Sequence, residues 1–233
     1  MDQQQLNALF DQQAATYDQQ WAKLAAFRDG LHLLLASIFR PLPADARVLC
    51  VGVGTGAEMA QLAALFPGWH FTAVEPSAGM LDACRRRMEA SGHAMRCSFH
   101  EGYVDGLPDV AAFDAATCFL VSQFILDDRA RSDFFRDIAQ RLRPGAILAS
   151  SDLSADIHAP SYDALLEVWM RTMAAGDVPP ERIMQMREAY ARDVAIRAPA
   201  DVEAIIAAGG FEAPLQFYQA GMIRAWYARR AGA

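Results

Sequence analysis

The chain is poor in the features that mark several common protein classes. Its four cysteines, Cys50, Cys84, Cys97 and Cys118, show no CxxC spacing, so neither a disulfide framework nor a zinc site is expected. Cys50 and Cys118 sit in apolar runs and read as small buried hydrophobes. The five histidines, His32, His70, His93, His100 and His158, are scattered and form no metal-ligand cluster. Lysine and arginine form no long run. The one basic cluster, Arg85-Arg86-Arg87, falls on an expected helix and reads as a solvated face. With a formal net charge of −7, a nucleic-acid partner is disfavoured. No apolar stretch reaches the ~20 residues that a bilayer-crossing helix needs. The polar start, Met1-Asp2-Gln3-Gln4-Gln5, is unlike a signal peptide. Neither an internal repeat nor a disordered linker is visible. The expectation is a cytoplasmic protein with no membrane partner, monomeric or homodimeric.

What the chain does have is 233 residues, enough for one domain with a sizeable core, and one dominant stretch. Val48 to Val51 is a short apolar run that reads as a buried parallel strand. Gly52, Gly54 and Gly56 follow at alternate positions. Met59, Leu62, Ala63 and Phe66 then recur at helical spacing. Strand, glycine turn and helix open a nucleotide-binding βαβ unit. Glycine serves there because the turn is tight and its backbone can approach a ligand closely.

The rest of the chain extends that unit. Residues 1–43 read as a helical cover ended by Pro41 and Pro43, with Ala15-Thr16-Tyr17-Asp18 between its pieces. Strands are expected at 47–52, 70–74, 94–100, 113–121 and 146–150. Helices are expected at 57–66, from Pro76-Ser77 to Ser91-Gly92, and at 127–142. Such alternation predicts a parallel sheet covered on both faces. After the fifth strand the rhythm changes: 160–175 and 180–194 read as helices, within an insertion over 155–197. Gly176-Asp177-Val178-Pro179-Pro180 separates them. Trp169, Met170, Met173, Met184, Met186 and Tyr190 lie there at core-like spacing, which also suits an adaptable pocket. A helix at 200–208 and strands at 215–218 and 222–227, joined by Ala220-Gly221, close the chain as an antiparallel edge.

Glu75, at the end of the second strand, lies where a carboxylate meets a ribose diol, and two hydroxyl donors suit one carboxylate. Gly52-x-Gly54-x-x-Ala57 also satisfies the degenerate dinucleotide fingerprint. Three features favour S-adenosylmethionine over NAD: the third glycine at 56, the motif's place behind a helical cover, and the terminal hairpin.

With these residues in view, the sequence resembles the class I S-adenosylmethionine-dependent methyltransferases over nearly its whole length. The resemblance rests on Phe10-Asp11, Tyr17-Asp18, Val48–Gly56, Glu75-Pro76-Ser77 with Met80-Leu81, Gly102 ahead of Leu107-Pro108, Phe113-Asp114 and Leu142-Arg143-Pro144-Gly145. It implies a single domain over 1–233 with a Rossmann-like fold: a seven-stranded, mostly parallel sheet with an antiparallel C-terminal hairpin. It implies S-adenosyl-L-methionine as cofactor, S-adenosyl-L-homocysteine as product and a small-molecule acceptor. By it, Gly52, Gly54 and Gly56 pass under the methionine portion, Glu75 takes the ribose and Met80 packs on adenine. Phe119 faces the sulfonium, Tyr17 closes over the cofactor, and Thr55, Pro76, Gly102 and Gln123 complete the set.

Two positions depart from the family pattern. Cys50 stands where an acid is usual, and Tyr103 stands beside adenine where many relatives place an Asp. Val121-Ser122-Gln123-Phe124 and Arg187 also resemble carboxy-S-adenosylmethionine synthase, in which an arginine pairs with the cofactor's extra carboxylate. The ordinary form of the glycine turn ranks plain methyl transfer above that alternative, and both above an NAD-dependent oxidoreductase. A methyl sulfonium is already electrophilic, so an acid or base matters only for a protonated acceptor. The candidates for that role are Asp152, His158, Tyr162 and Arg187.

Overall fold

The computed structural model describes residues 3–108, 112–174 and 179–232. Most of the expected separator at 176–180 therefore lies outside the described residues. The cover consists of α1 (Gln3–Gln13), α2 (Tyr17–Trp21) and α3 (Ala25–Phe39), with a 3₁₀ turn at Ala22–Leu24. The alternating part runs β1 (Arg47–Val51), α4 (Ala57–Leu65), β2 (His70–Glu75), α5 (Ala78–Ala90), β3 (Cys97–Glu101), β4 (Phe113–Phe119), α6 (Asp128–Arg141) and β5 (Leu142–Leu153). Then follow α7 (Tyr162–Ala174), α8 (Pro180–Asp193), α9 (Pro199–Ala208), β6 (Phe211–Ala220) and β7 (Ile223–Arg230).

Among the described residues the strands form one seven-stranded sheet in the order β3-β2-β1-β4-β5-β7-β6. β1 to β5 pair in parallel, and β7 joins β5 and β6 antiparallel. The expected mostly parallel sheet with an antiparallel terminal hairpin is what forms. Order reverses between β1 and β4, and ligands of open α/β sheets bind at such a switch point, beyond the strands' carboxyl ends.

The apolar run of β1 is buried on both faces. Val48 and Cys50 pack with Met59, Leu62 and Cys84, and with Leu35 and Phe39 of α3. Leu49 and Val51 belong to the opposite core, with Phe135 and Ile138 of α6 and Val202, Ile205 and Ile206 of α9. Continuous rather than alternating hydrophobicity is therefore required of this strand. Some boundaries differ from the sequence reading. A 3₁₀ turn occupies Ala94–Arg96, so β3 starts at Cys97. β5 spans twelve residues rather than five, because Leu142 already pairs with Phe113 across a register shift, and Gly145, at φ +76°, absorbs the irregularity.

The insertion packs by its apolar face. Trp169, Met170 and Leu166 join Leu24 of the cover and Met222 and Ile223 at the hairpin turn. Trp169 Nε1 donates to Tyr190 Oη at 3.1 Å. A fully buried pair ties this region to the sheet. Arg131 Nη2 lies 2.9 Å from Asp152 Oδ2, both side chains inaccessible. Ser122 Oγ donates to Asp152 and accepts from Arg131 Nε, each at 2.9 Å. Arg131 Nη1 donates to the Ala195 carbonyl.

Candidate functional site

The turn after β1 is held by β2. The amides of Gly52 and Val53 donate to the Val74 carbonyl at 2.8 and 3.2 Å. Gly52, Gly54 and Gly56 have φ of +59°, +54° and +78°, the region that favours glycine. A side chain would meet different things at each. At Gly52 an added Cβ would lie 2.4 Å from Val121 Cγ2, and at Gly56 2.5 Å from Cys84 Sγ. At Gly54 nothing stands within 4 Å. Gly52 and Gly56 thus permit internal packing, whereas Gly54 presents bare backbone to open space.

Glu75 spans that turn and the next helix. Its Oε2 accepts from the Gly54 amide at 2.9 Å and its Oε1 from the Ser77 amide at 3.0 Å. Glu75 is 6 % exposed, and burial raises the pKa of its carboxyl group despite the two amides. One amide per oxygen fixes the carboxylate plane and leaves a lone pair on each oxygen for two further donors.

Two cavities, of about 190 and 160 Å³, meet over Gly54. Tyr17, Gly52, Phe119 and Leu120 line both. The first continues past Glu75, Pro76, Met80, Gly102, Tyr103 and Phe124. The second runs towards α3, past Trp21, Phe27, His32, Thr55, Glu58 and Ser151. Leu120, a non-glycine residue at φ +57°, donates its amide to the Ser151 carbonyl at 2.8 Å. A leucine held in this strained region by its surroundings belongs to an over-determined part of the backbone; here it sits at the junction of the cavities.

The cover closes over the junction by a repeated device. In each aromatic–Asp pair the ring lines a cavity and the acid latches. Asp11 Oδ1 accepts from Ser77 Oγ at 2.6 Å and from the Gly79 amide at 2.9 Å. Asp18 accepts from Thr55 Oγ1 at 2.7 Å and pairs with Arg87. Arg87 is therefore committed to the cover rather than simply solvated. Asn7 Nδ2 donates to Tyr103 Oη at 3.0 Å. Burial above all, then the charges of Glu75, Asp18 and Glu58, pushes the Tyr17 phenol up to about 12, so it stays protonated at neutral pH.

Of the residues picked from the sequence, Tyr17, Gly52, Gly54, Thr55, Glu75, Pro76, Met80, Gly102, Tyr103 and Phe119 are brought together around the two cavities. Gly56 and Gln123 line neither. Gln123 is buried, and its Oε1 accepts from the Leu153 amide at 2.6 Å. Asp152 is closed into the Arg131 pair. His158 is exposed, Tyr162 packs within the insertion's core, and Arg187 pairs with Asp163. None of the four lines either cavity, and Arg187 on Asp163 leaves the carboxylated-cofactor alternative without its arginine.

Among the lining residues that escaped the sequence reading are three with polar side chains that bear on the chemistry. His32, 5 % exposed, stacks on Phe119 with ring centroids 6.3 Å apart. Its Nδ1 lies 3.0 Å from Gln61 Oε1; that carbonyl oxygen requires the proton on Nδ1 and leaves Nε2 as an acceptor. Burial is the main cause of the imidazole's lowered pKa, so it is neutral near pH 7. Ser151 is fully buried and its Oγ has no hydrogen-bond partner. Glu58 is half-buried beside the glycine turn. Ser151 thus brings a hydroxyl without a partner among the described residues to the wall of the second cavity.

Residues 48–145 match a family described as "Methyltransferase domain". A demethylmenaquinone methyltransferase of Clavibacter sepedonicus is 29 % identical over 151 residues, covering 64 % of this chain and 58 % of the relative. An O-methyltransferase of Aspergillus sclerotiorum is 32 % identical over 123 residues, covering 52 % and 45 %. The chain thus spans about half the length of these curated relatives. Human N-acetylserotonin methyltransferase, solved with S-adenosylmethionine, superposes with a TM-score of 0.66 at 16 % identity, over 97 % of this chain and 57 % of that one. That likeness speaks to the fold.

Proposed function

We propose that this chain is a class I S-adenosylmethionine-dependent methyltransferase, a reading its methyltransferase-domain match and its curated relatives support, and that it transfers a methyl group from S-adenosylmethionine to a hydroxyl of a small molecule and releases S-adenosylhomocysteine. One observation carries the reading: Glu75, braced by the amides of Gly54 and Ser77, stands over a turn whose central glycine is bare. When bound, the donor supplies an electrophilic methyl on a sulfonium.

The residues fit such a group. Glu75 has a free lone pair on each oxygen for the two ribose hydroxyls. Pro76, Met80, Val104 and Phe124 offer apolar surface to a purine. Gly54 allows close contact with the main chain. Tyr17, Phe119 and Leu120 keep water from the junction, which strengthens electrostatics there.

The acceptor enters from the second cavity, against Trp21, Leu24, Phe27, Leu31 and Ile223. His32 Nε2 takes the acceptor's proton, with Gln61 fixing the tautomer; Ser151 Oγ bonds the acceptor and orients it. Positioning in a water-poor pocket does most of the work, and the base adds what a protonated hydroxyl requires. The O-methyltransferase among the relatives supports a hydroxyl acceptor. Incubation with methyl-labelled donor and a panel of hydroxylated aromatic compounds, read by mass spectrometry, tests the reading. Labelled product with stoichiometric S-adenosylhomocysteine is expected. A protein that binds neither donor nor S-adenosylhomocysteine in calorimetry would end it.

A further inference from the structure

The second cavity contains a carboxylate that has no part in the proposed ribose, purine or acceptor contacts. Glu58 lies in the first turn of α4, two residues beyond Gly56, and lines the cavity together with Gly52, Gly54, Thr55 and Tyr17. The neighbouring acids are committed. Asp18 is taken by Thr55 and Arg87, and Glu75 by two amides.

Among the described residues no other side chain hydrogen-bonds or pairs with Glu58; the amides of Glu58 itself and Met59 face its carboxyl group. The other groups near it are Arg87 of α5, Glu75 of β2, Tyr17 of α2, Cys50 of β1 and Cys84 of α5. Both thiols are held neutral by burial, so β1 contributes no charge beneath the turn. A half-buried carboxylate with no side-chain partner, facing a cavity, is a place for a cation.

We infer that Glu58 receives the α-ammonium group of the donor's methionine portion, and so is the residue that distinguishes the whole cofactor from its adenosine half. The inference rests on the donor assigned above. An ammonium on a carboxylate is a charge-assisted bond; the arginine that lines the same cavity, Arg28, is paired with Asp29.

A proton linkage follows. Burial, opposed by the local amides and Arg87, pushes the Glu58 carboxyl up to about 7 in the free protein. The ammonium requires the ionised form. Binding at pH 7 therefore releases part of a proton, and affinity rises between pH 6 and 8.

The test is calorimetry on the full chain at pH 7, in phosphate and in Tris, with two ligands. S-adenosylhomocysteine carries the ammonium; 5′-methylthioadenosine keeps the adenosine and sulfur without it. The parent releases protons with the first ligand and none with the second. The E58Q protein binds S-adenosylhomocysteine about 30-fold more weakly, releases no proton, and holds methylthioadenosine within about twofold of the parent. Unchanged affinity and proton count in E58Q overturn the inference while leaving the donor reading intact. Equal weakening for both ligands also overturns it, since the loss would then be structural. A parent that binds neither ligand overturns the donor reading itself.

Discussion

Gly52 and Gly54 share nearly the same backbone conformation, yet replacing each by alanine should do opposite things. Holding alanine at positive φ costs about 1–2 kcal/mol at either site. At Gly54 that is the whole structural cost, because an added Cβ meets nothing within 4 Å. For a chain of this size 1 kcal/mol lowers Tm by about 2–4 °C, so G54A should melt only a few degrees below the parent. The new methyl projects into the junction of the cavities, where crowding of a well-packed ligand costs about 1–3 kcal/mol. That is about a 5- to 150-fold loss of affinity.

At Gly52 the Cβ would lie 2.4 Å from Val121 Cγ2 and 3.1 Å from Cγ1. Val121 is β-branched and stiff, so overpacking of about 1–3 kcal/mol adds to the backbone strain. G52A should therefore melt roughly 10 °C lower. Thermal melts and titrations with S-adenosylhomocysteine read both quantities. Should G54A bind within twofold of the parent, or should the two variants lose stability and affinity in parallel, the division between packing glycine and ligand-facing glycine is wrong.

Asp152→Ala strands the Arg131 guanidinium in a closed core. A loss of about 3–5 kcal/mol is expected, and urea unfolding that shows less than about 1 kcal/mol would contradict the buried pair. For His32, removing the base should lower the rate on a weakly acidic hydroxyl by about 100-fold or more. In the parent, rate should fall as pH drops through the imidazole's pKa, which burial holds below its usual value, because the protonated ring cannot accept. H32N should flatten that acidic limb without changing cofactor affinity; an H32N profile that keeps the limb would place the base elsewhere.

The strand–turn–helix rhythm was legible because its physics is local. A doubly buried strand needs an unbroken apolar run, as in Val48–Val51, and a turn at positive φ needs glycine. Glu75 was legible for the same reason, since a strand's last residue points at the crevice. What sequence reasoning missed depends on distant partners. His32 sits on an apolar helical face and looks like core; its role follows only from Gln61, Phe119 and the cavity beside it. Glu58 looks like a solvent-facing acid at a helix start.

Gln123 entered through the family resemblance and Asp152 as a candidate acid or base after the fifth strand, but a buried polar network absorbed both. The aromatic–Asp pairs of the cover were visible as a motif. Their division into a lining ring and a latching carboxylate was not, because Ser77, Gly79 and Thr55 lie tens of residues away in sequence.

The carboxylate at the end of β2 bears most of the account, and calorimetry of the Glu75→Ala protein with S-adenosylhomocysteine tests it most directly. Two hydrogen bonds to a charged group, each worth about 1.5–3 kcal/mol, are removed, so affinity should fall by at least about 100-fold while circular dichroism shows the sheet intact. Affinity equal to the parent's would mean that Glu75 holds no ribose and that this cavity is not the donor's site.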